Sequence, residues 1–159
     1  VPDGTIPVAA LGFTAGATIY AGAMININTY TLNNDYDVLN VETSTLTPLC
    51  ELKFNTFSPN VLEVTNPGGS TGQSSTISGG WVNGKTYYVK LEAVVGSGAN
   101  AACTAQLSTD GATWGYTATS TNGTWTTNTG YVEFDQTGTA AINKIVDDVR
   151  ASTSTFNYW

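Results

Sequence analysis

Apolar residues in this chain recur at every second position, and nowhere do they hold a 3.6-residue period for ten residues. A helix that buries one face needs the longer period and a half-buried strand needs the shorter one, so the pattern excludes a helical core. The longest case runs over 85–95, where Tyr87, Val89, Leu91 and Ala93 share one face and Tyr88, Lys90, Glu92 and Val94 the other. Further strands are expected over 23–30, 37–43, 49–57, 61–65, 101–108, 130–136 and 143–151, with shorter apolar fragments before residue 22. Between them stand turn-forming clusters: Asn33-Asn34-Asp35, Ser58-Pro59-Asn60, Asn66-Pro67-Gly68-Gly69 and the stretch 96–100. Asp110-Gly111 and Asn122-Gly123 are dipeptides of the tight-hairpin kind. About ten short strands with turns every roughly 8–12 residues imply an all-β fold, a sandwich or a closed barrel.

The 159 residues suit one domain. Within it, residues 1–22 read as an N-terminal arm with an edge strand and 23–159 as the body; the start at Val1-Pro2-Asp3-Gly4 reads as processed or trimmed. Five Lys plus Arg stand against twelve Asp plus Glu, a net charge of -7. So few cations cannot neutralise a run of phosphates, which excludes nucleic acid as a partner. The absence of His removes the imidazole base of a Ser-His-Asp triad and the usual zinc ligand. No apolar run approaches the ~18 residues that cross a bilayer, so no membrane insertion is expected. Solubility rests on Thr, Ser, Asn and Gly, with Thr the commonest residue, a surface chemistry of extracellular and virion proteins.

Several segments carry a resemblance. Ala23-Met24-Ile25-Asn26-Ile27-Asn28 resembles the early strand of a concanavalin A-like jelly roll of the laminin-G-like kind. Asp37-Val38-Leu39-Asn40-Val41, Cys50-Glu51-Leu52-Lys53-Phe54 and Val61-Leu62-Glu63-Val64 resemble its central meander. Thr86-Tyr87-Tyr88-Val89 and Ile145-Val146-Asp147-Asp148-Val149-Arg150 resemble its aromatic-led and closing strands. The resemblance implies an antiparallel β-sandwich from about residue 23 onward. In style the chain is similar to bacteriophage particle-surface proteins. The fold hosts lectins, polysaccharide hydrolases, adhesion modules and coat or appendage proteins, and does not choose among them.

The residues narrow the choice. Hydrolases on this fold alternate acids along one strand so that two carboxyls share a cleft. No Glu-x-Asp-x-Glu run is present; the nearest pairings are Asp35/Asp37, Glu51/Glu63 and Asp147/Asp148, and the last two residues face opposite ways on a strand. Asp35 and Asp37, beside Asn33 and Asn34, form an oxygen-rich loop of the kind that holds Ca²⁺, against the plainer reading of a solvated turn. Glycan binding would use Trp81, Trp114, Tyr116 and Trp125 as stacking faces with Asn83 and Asn122 as hydrogen-bonders, because sugar C–H faces stack on rings. Against this, the same aromatics suit sandwich ends or subunit contacts. Ser108-Thr109-Asp110-Gly111-Ala112-Thr113-Trp114 resembles a single Asp-box, read here as a structural turn in which Asp110 caps the hairpin. Cys50 and Cys103 both fall on inward positions, either as two buried thiols or as one disulfide between facing strands. Phe156, Tyr158 and Trp159 read as assembly contacts on a neighbouring subunit. The expectation is a non-enzymatic structural or adhesive module on a virion or extracellular surface (coat, decoration or appendage), partnered by copies of itself or other particle subunits. The alternative is a lectin-like carbohydrate-binding domain.

Overall fold

The computed structural model describes residues 6–12, 17–43, 45, 47–57, 59–66, 68–126, 129–134 and 142–154. Among the described residues eleven strands follow one another: β1 Ile6–Gly12, β2 Thr18–Thr29, β3 Asp35–Thr43, β4 Pro48–Asn55, β5 Val61–Thr65, β6 Thr71–Gln73, β7 Lys85–Val94, β8 Gly96–Ser108, β9 Tyr116–Trp125, β10 Thr129–Phe134 and β11 Asn143–Ser152. They form an antiparallel six-stranded sheet in the order β1-β10-β3-β4-β5-β6 and an antiparallel five-stranded sheet in the order β11-β2-β7-β8-β9. The all-β sandwich expected from the alternation is the fold.

Alternation decides which side chains meet between the sheets. Ile19, Ala21, Ala23, Ile25 and Ile27 of β2 and Tyr87, Val89, Leu91 and Ala93 of β7 face Val38, Leu39 and Val41 of β3 and Leu52 and Phe54 of β4, all buried. A bulge between Asp37 and Leu39 turns both Val38 and Leu39 inward, then restores the outward phase for Asn40 and Glu42. Cys50 of β4 and Cys103 of β8 are fully buried and joined across the core, with Cα atoms 5.9 Å apart.

One flank of the sandwich is closed by close approach of backbones. At Gly72 of β6 a Cβ would collide with the backbone carbonyl of Thr119 of β9, so only glycine lets these strands of different sheets touch. Ser70 donates its backbone N–H to the Thr121 carbonyl at 2.9 Å, and the Ser120 hydroxyl donates to the Ser70 carbonyl.

Three local expectations change. Residues 96–100, read as a turn, belong to β8, where Gly96 pairs with Trp125 and a register shift accommodates the excursion through Gly98 and Ala99 at positive φ. Asn122-Gly123 is not a hairpin tip but lies inside β9, with Asn122 at φ 63°, opposite that irregular stretch of β8. β6, three residues with no alternation of its own, was not foreseen, and neither was β9 as a strand.

Candidate functional site

The aromatic residues expected to stack on sugars do not form a common surface. Trp81 is 3% exposed: its ring stacks on Phe54 at 4.1 Å, meets Tyr87 edge-on at 5.1 Å, and its Nε1 donates to the Asn55 carbonyl at 2.8 Å. Trp125 is 7% exposed and its Nε1 donates to Asn66 Oδ1 at 3.2 Å. Both rings belong to the core, so neither offers a face to a ligand. A loop can bury a tryptophan when its indole N–H finds a carbonyl, and that is what corrects the expectation for these two residues.

Trp114 and Tyr116 are half-buried, Asn83 and Asn122 exposed. Lys90 Nζ sits 3.6 Å from the centroid of the Trp114 ring, and burial lowers the Lys90 pKa. Tyr116 Oη accepts the backbone N–H of Ser78 at 3.2 Å. Tyr116 and Trp125 begin and end β9, roughly 30 Å apart along the strand. The six residues are scattered over three regions.

Asp110 does what the Asp-box resemblance implies. Its carboxylate accepts the backbone N–H groups of Thr113 at 2.7 Å and Ala112 at 2.8 Å and the Ser108 hydroxyl at 2.8 Å. These donors hold its carboxyl far below the ordinary range. Gly111 beside it has φ 78°, with the Tyr88 ring against the place where a Cβ would sit. The turn is self-contained.

A different surface emerges on the outer side of the six-stranded sheet. Positions that alternate with the core project there: Asp35, Asp37, Asn40 and Glu42 from β3, Glu51, Lys53 and Asn55 from β4, Glu63 and Thr65 from β5, Thr71 and Gln73 from β6, and Tyr131 and Glu133 from β10. Register arranges them in rows across the strands. Asp37, Lys53, Glu63 and Gln73 make one row, and Glu133, Asn40, Glu51, Thr65 and Thr71 make the next. Six of the chain's twelve carboxylates, Asp35, Asp37, Glu42, Glu51, Glu63 and Glu133, share this face.

Lys53 stands at its centre. Its Nζ lies 3.3 Å from Asp37 and 3.4 Å from Glu51. Burial works against the Lys53 charge, but Asp37 and Glu51 more than offset it and the pKa is raised. Glu51 also accepts the Thr65 hydroxyl at 2.6 Å, and Glu63 accepts from Asn55 Nδ2 at 3.1 Å and Gln73 Nε2 at 2.8 Å. Asp35 is raised by burial and then by Glu63, with Lys53 opposing. The result is a pre-set lattice of hydrogen-bonding groups on rigid strands.

The oxygen-rich loop expected to hold calcium is used differently. Asp37 faces the ammonium of Lys53, and among the described residues no group of three or more acidic, Cys or His side chains is placed to hold a metal ion. Asp148 pairs with Arg150 at 2.9 Å. Phe156, Tyr158 and Trp159 lie outside the described residues. The sequence had singled out Asp35, Asp37, Glu51 and Glu63, but not their convergence with Asn40, Lys53 and Glu133. The available signal was the density of charge at outward positions of 35–63, in a chain only 11% charged.

No protein-family model and no curated protein sequence matches the chain. Solved structures do. A functionally unknown protein from Saccharomyces cerevisiae aligns over 92% of this chain and 75% of its own, at 15% identity and a TM-score of 0.57. A single mutant of congerin II aligns over 94% of this chain and 99% of its own, at 13% identity and a TM-score of 0.54. A tetrameric galectin from the ball sponge Cinachyrella sp. covers 94% and 99% at 10% identity, with a TM-score of 0.47. At such identities the first two alignments show a shared β-sandwich fold.

Proposed function

We propose that this protein is a non-enzymatic, lectin-like binding module that holds carbohydrate through the outer face of its six-stranded sheet. A shared sandwich chooses no ligand, so the ligand class is argued from the face itself. One observation carries the reading: amide, hydroxyl, carboxylate and a single fixed ammonium converge there from β3, β4, β5 and β6, held by each other's hydrogen bonds. Sugar hydroxyls donate and accept at once, and a lattice mixing acceptors with the Lys53 and Gln73 donors matches them. Rigid strands keep the ordering cost of binding low. The assembly role drawn from the terminal aromatics concerns residues outside the described ones.

Calorimetry against a panel of oligosaccharides tests the proposal. Hydrogen bonds to charged groups contribute about 1.5–3 kcal/mol, so Lys53→Met should weaken binding by about tenfold or more. Gln73→Ala should weaken it less, and Trp114→Ala should leave it unchanged. Binding that survives Lys53→Met but disappears with Trp114→Ala would move the site to the other sheet and refute the assignment.

A further inference from the structure

We infer that the ligand of this face is cationic: an amino sugar carrying a free ammonium, seated where Glu133, Asn40 and Glu51 stand side by side. This rests on the carbohydrate-binding reading and names its substrate class. Register places Asn40 of β3 directly between Glu133 of β10 and Glu51 of β4. Asn40 is 1% exposed, and its Oδ1 is buried with no hydrogen-bond partner. Its two cross-strand neighbours are Glu133 and Glu51, and neither donates to it. Glu133 is itself 4% exposed and has no ion-pair partner among the described residues. Glu51 shares Lys53 with Asp37, so one lysine serves two carboxylates of this neighbourhood.

A buried carboxylate without a cation and a buried carbonyl without a donor are each unfavourable, and together they describe one missing group. An ammonium offers three donors and a positive charge, enough for Glu133 and the Asn40 carbonyl. A metal ion fits less well, because among the described residues no three acidic, Cys or His side chains converge to hold one. A neutral sugar would leave Glu133 uncompensated. The surplus of acid on this face adds a long-range attraction for cations that salt should screen.

The test compares a glucosamine oligomer with its N-acetylated counterpart and a glucose oligomer of equal length, by calorimetry on the full chain at low and moderate salt. The glucosamine oligomer should bind at least tenfold more tightly than either, and its advantage should shrink as salt rises. Glu133→Gln, which keeps size and shape and removes the uncompensated buried charge, should erase most of that advantage without lowering the urea midpoint. Glu92→Gln, on the five-stranded sheet, should change nothing. Equal binding of all three oligomers, or tighter binding of the N-acetylated one, overturns the inference and leaves the carbohydrate reading intact. Equal losses from Glu133→Gln and Glu92→Gln reduce the preference to net charge and overturn it too. If no oligomer binds, the broader reading fails.

Discussion

Opening the Cys50–Cys103 bond should lower the unfolding free energy by about 4 kcal/mol. The two residues are 53 positions apart in sequence. A closed loop of that length removes about 14 cal/mol/K of chain entropy from the unfolded state, or about 4 kcal/mol at room temperature. With a urea slope of about 2 kcal/mol/M, the midpoint should fall by about 2 M. Both cysteines are fully buried, so reductant reaches the bond only in unfolded chains. The measurement therefore starts from protein unfolded in urea with and without a phosphine reductant, then diluted to equilibrium and followed by tryptophan fluorescence and far-ultraviolet circular dichroism. A Cys50→Ala, Cys103→Ala variant should give one midpoint whether or not reductant is present. A wild-type difference under about 0.5 M would refute the reasoning, since the cross-link would then constrain little that the rest of the fold does not already hold.

Other perturbations probe separate parts of the molecule. Trp81→Ala removes a ring stacked on Phe54 and should cost about 3–5 kcal/mol in urea unfolding without altering any sugar affinity. Gly72→Ala forces β6 away from β9 and should cost about 1–3 kcal/mol, with faster amide exchange at Ser70 and Thr121. Asp110 is depressed by its backbone and Ser108 donors, so its stabilisation is complete above its unfolded value of 3.8 and is lost as pH falls through the lower folded value. The gap in urea midpoint between wild type and Asp110→Asn should accordingly stay constant from about pH 5 to 8 and close in stronger acid.

Period-two alternation made the strands legible because it reflects a local fact, that neighbouring side chains point opposite ways. The inward set of β7 could be written down residue by residue, and 61–65 coincides with β5. Burial of loop residues was not legible in that way. Trp81 and Ile77 lie outside any strand, yet the 74–84 segment folds them into the core, fixed where Tyr30 donates its hydroxyl to the Trp81 carbonyl at 2.7 Å. Trp125 turns inward at the end of β9 because Asn66, fifty-nine positions earlier, accepts its N–H. The polar face was hidden for a related reason. Asn40, Glu51 and Glu133 are ordinary outward residues in their own segments, and only the pairing of β10, β3 and β4 sets them abreast. Pairing between distant segments is decided by the whole topology, which a single sequence does not display.

The Gly72 contact reaches beyond stability. A sheet margin with unpaired amides is a template on which another chain can add a strand. Where β6 lies against β9 and Ser70 bonds to Thr121, that margin is already occupied from within the same molecule. On the opposite side, β1 and β11 end their respective sheets. Strand addition is therefore opposed on the β6 and β9 side, where the molecule terminates its own sheets.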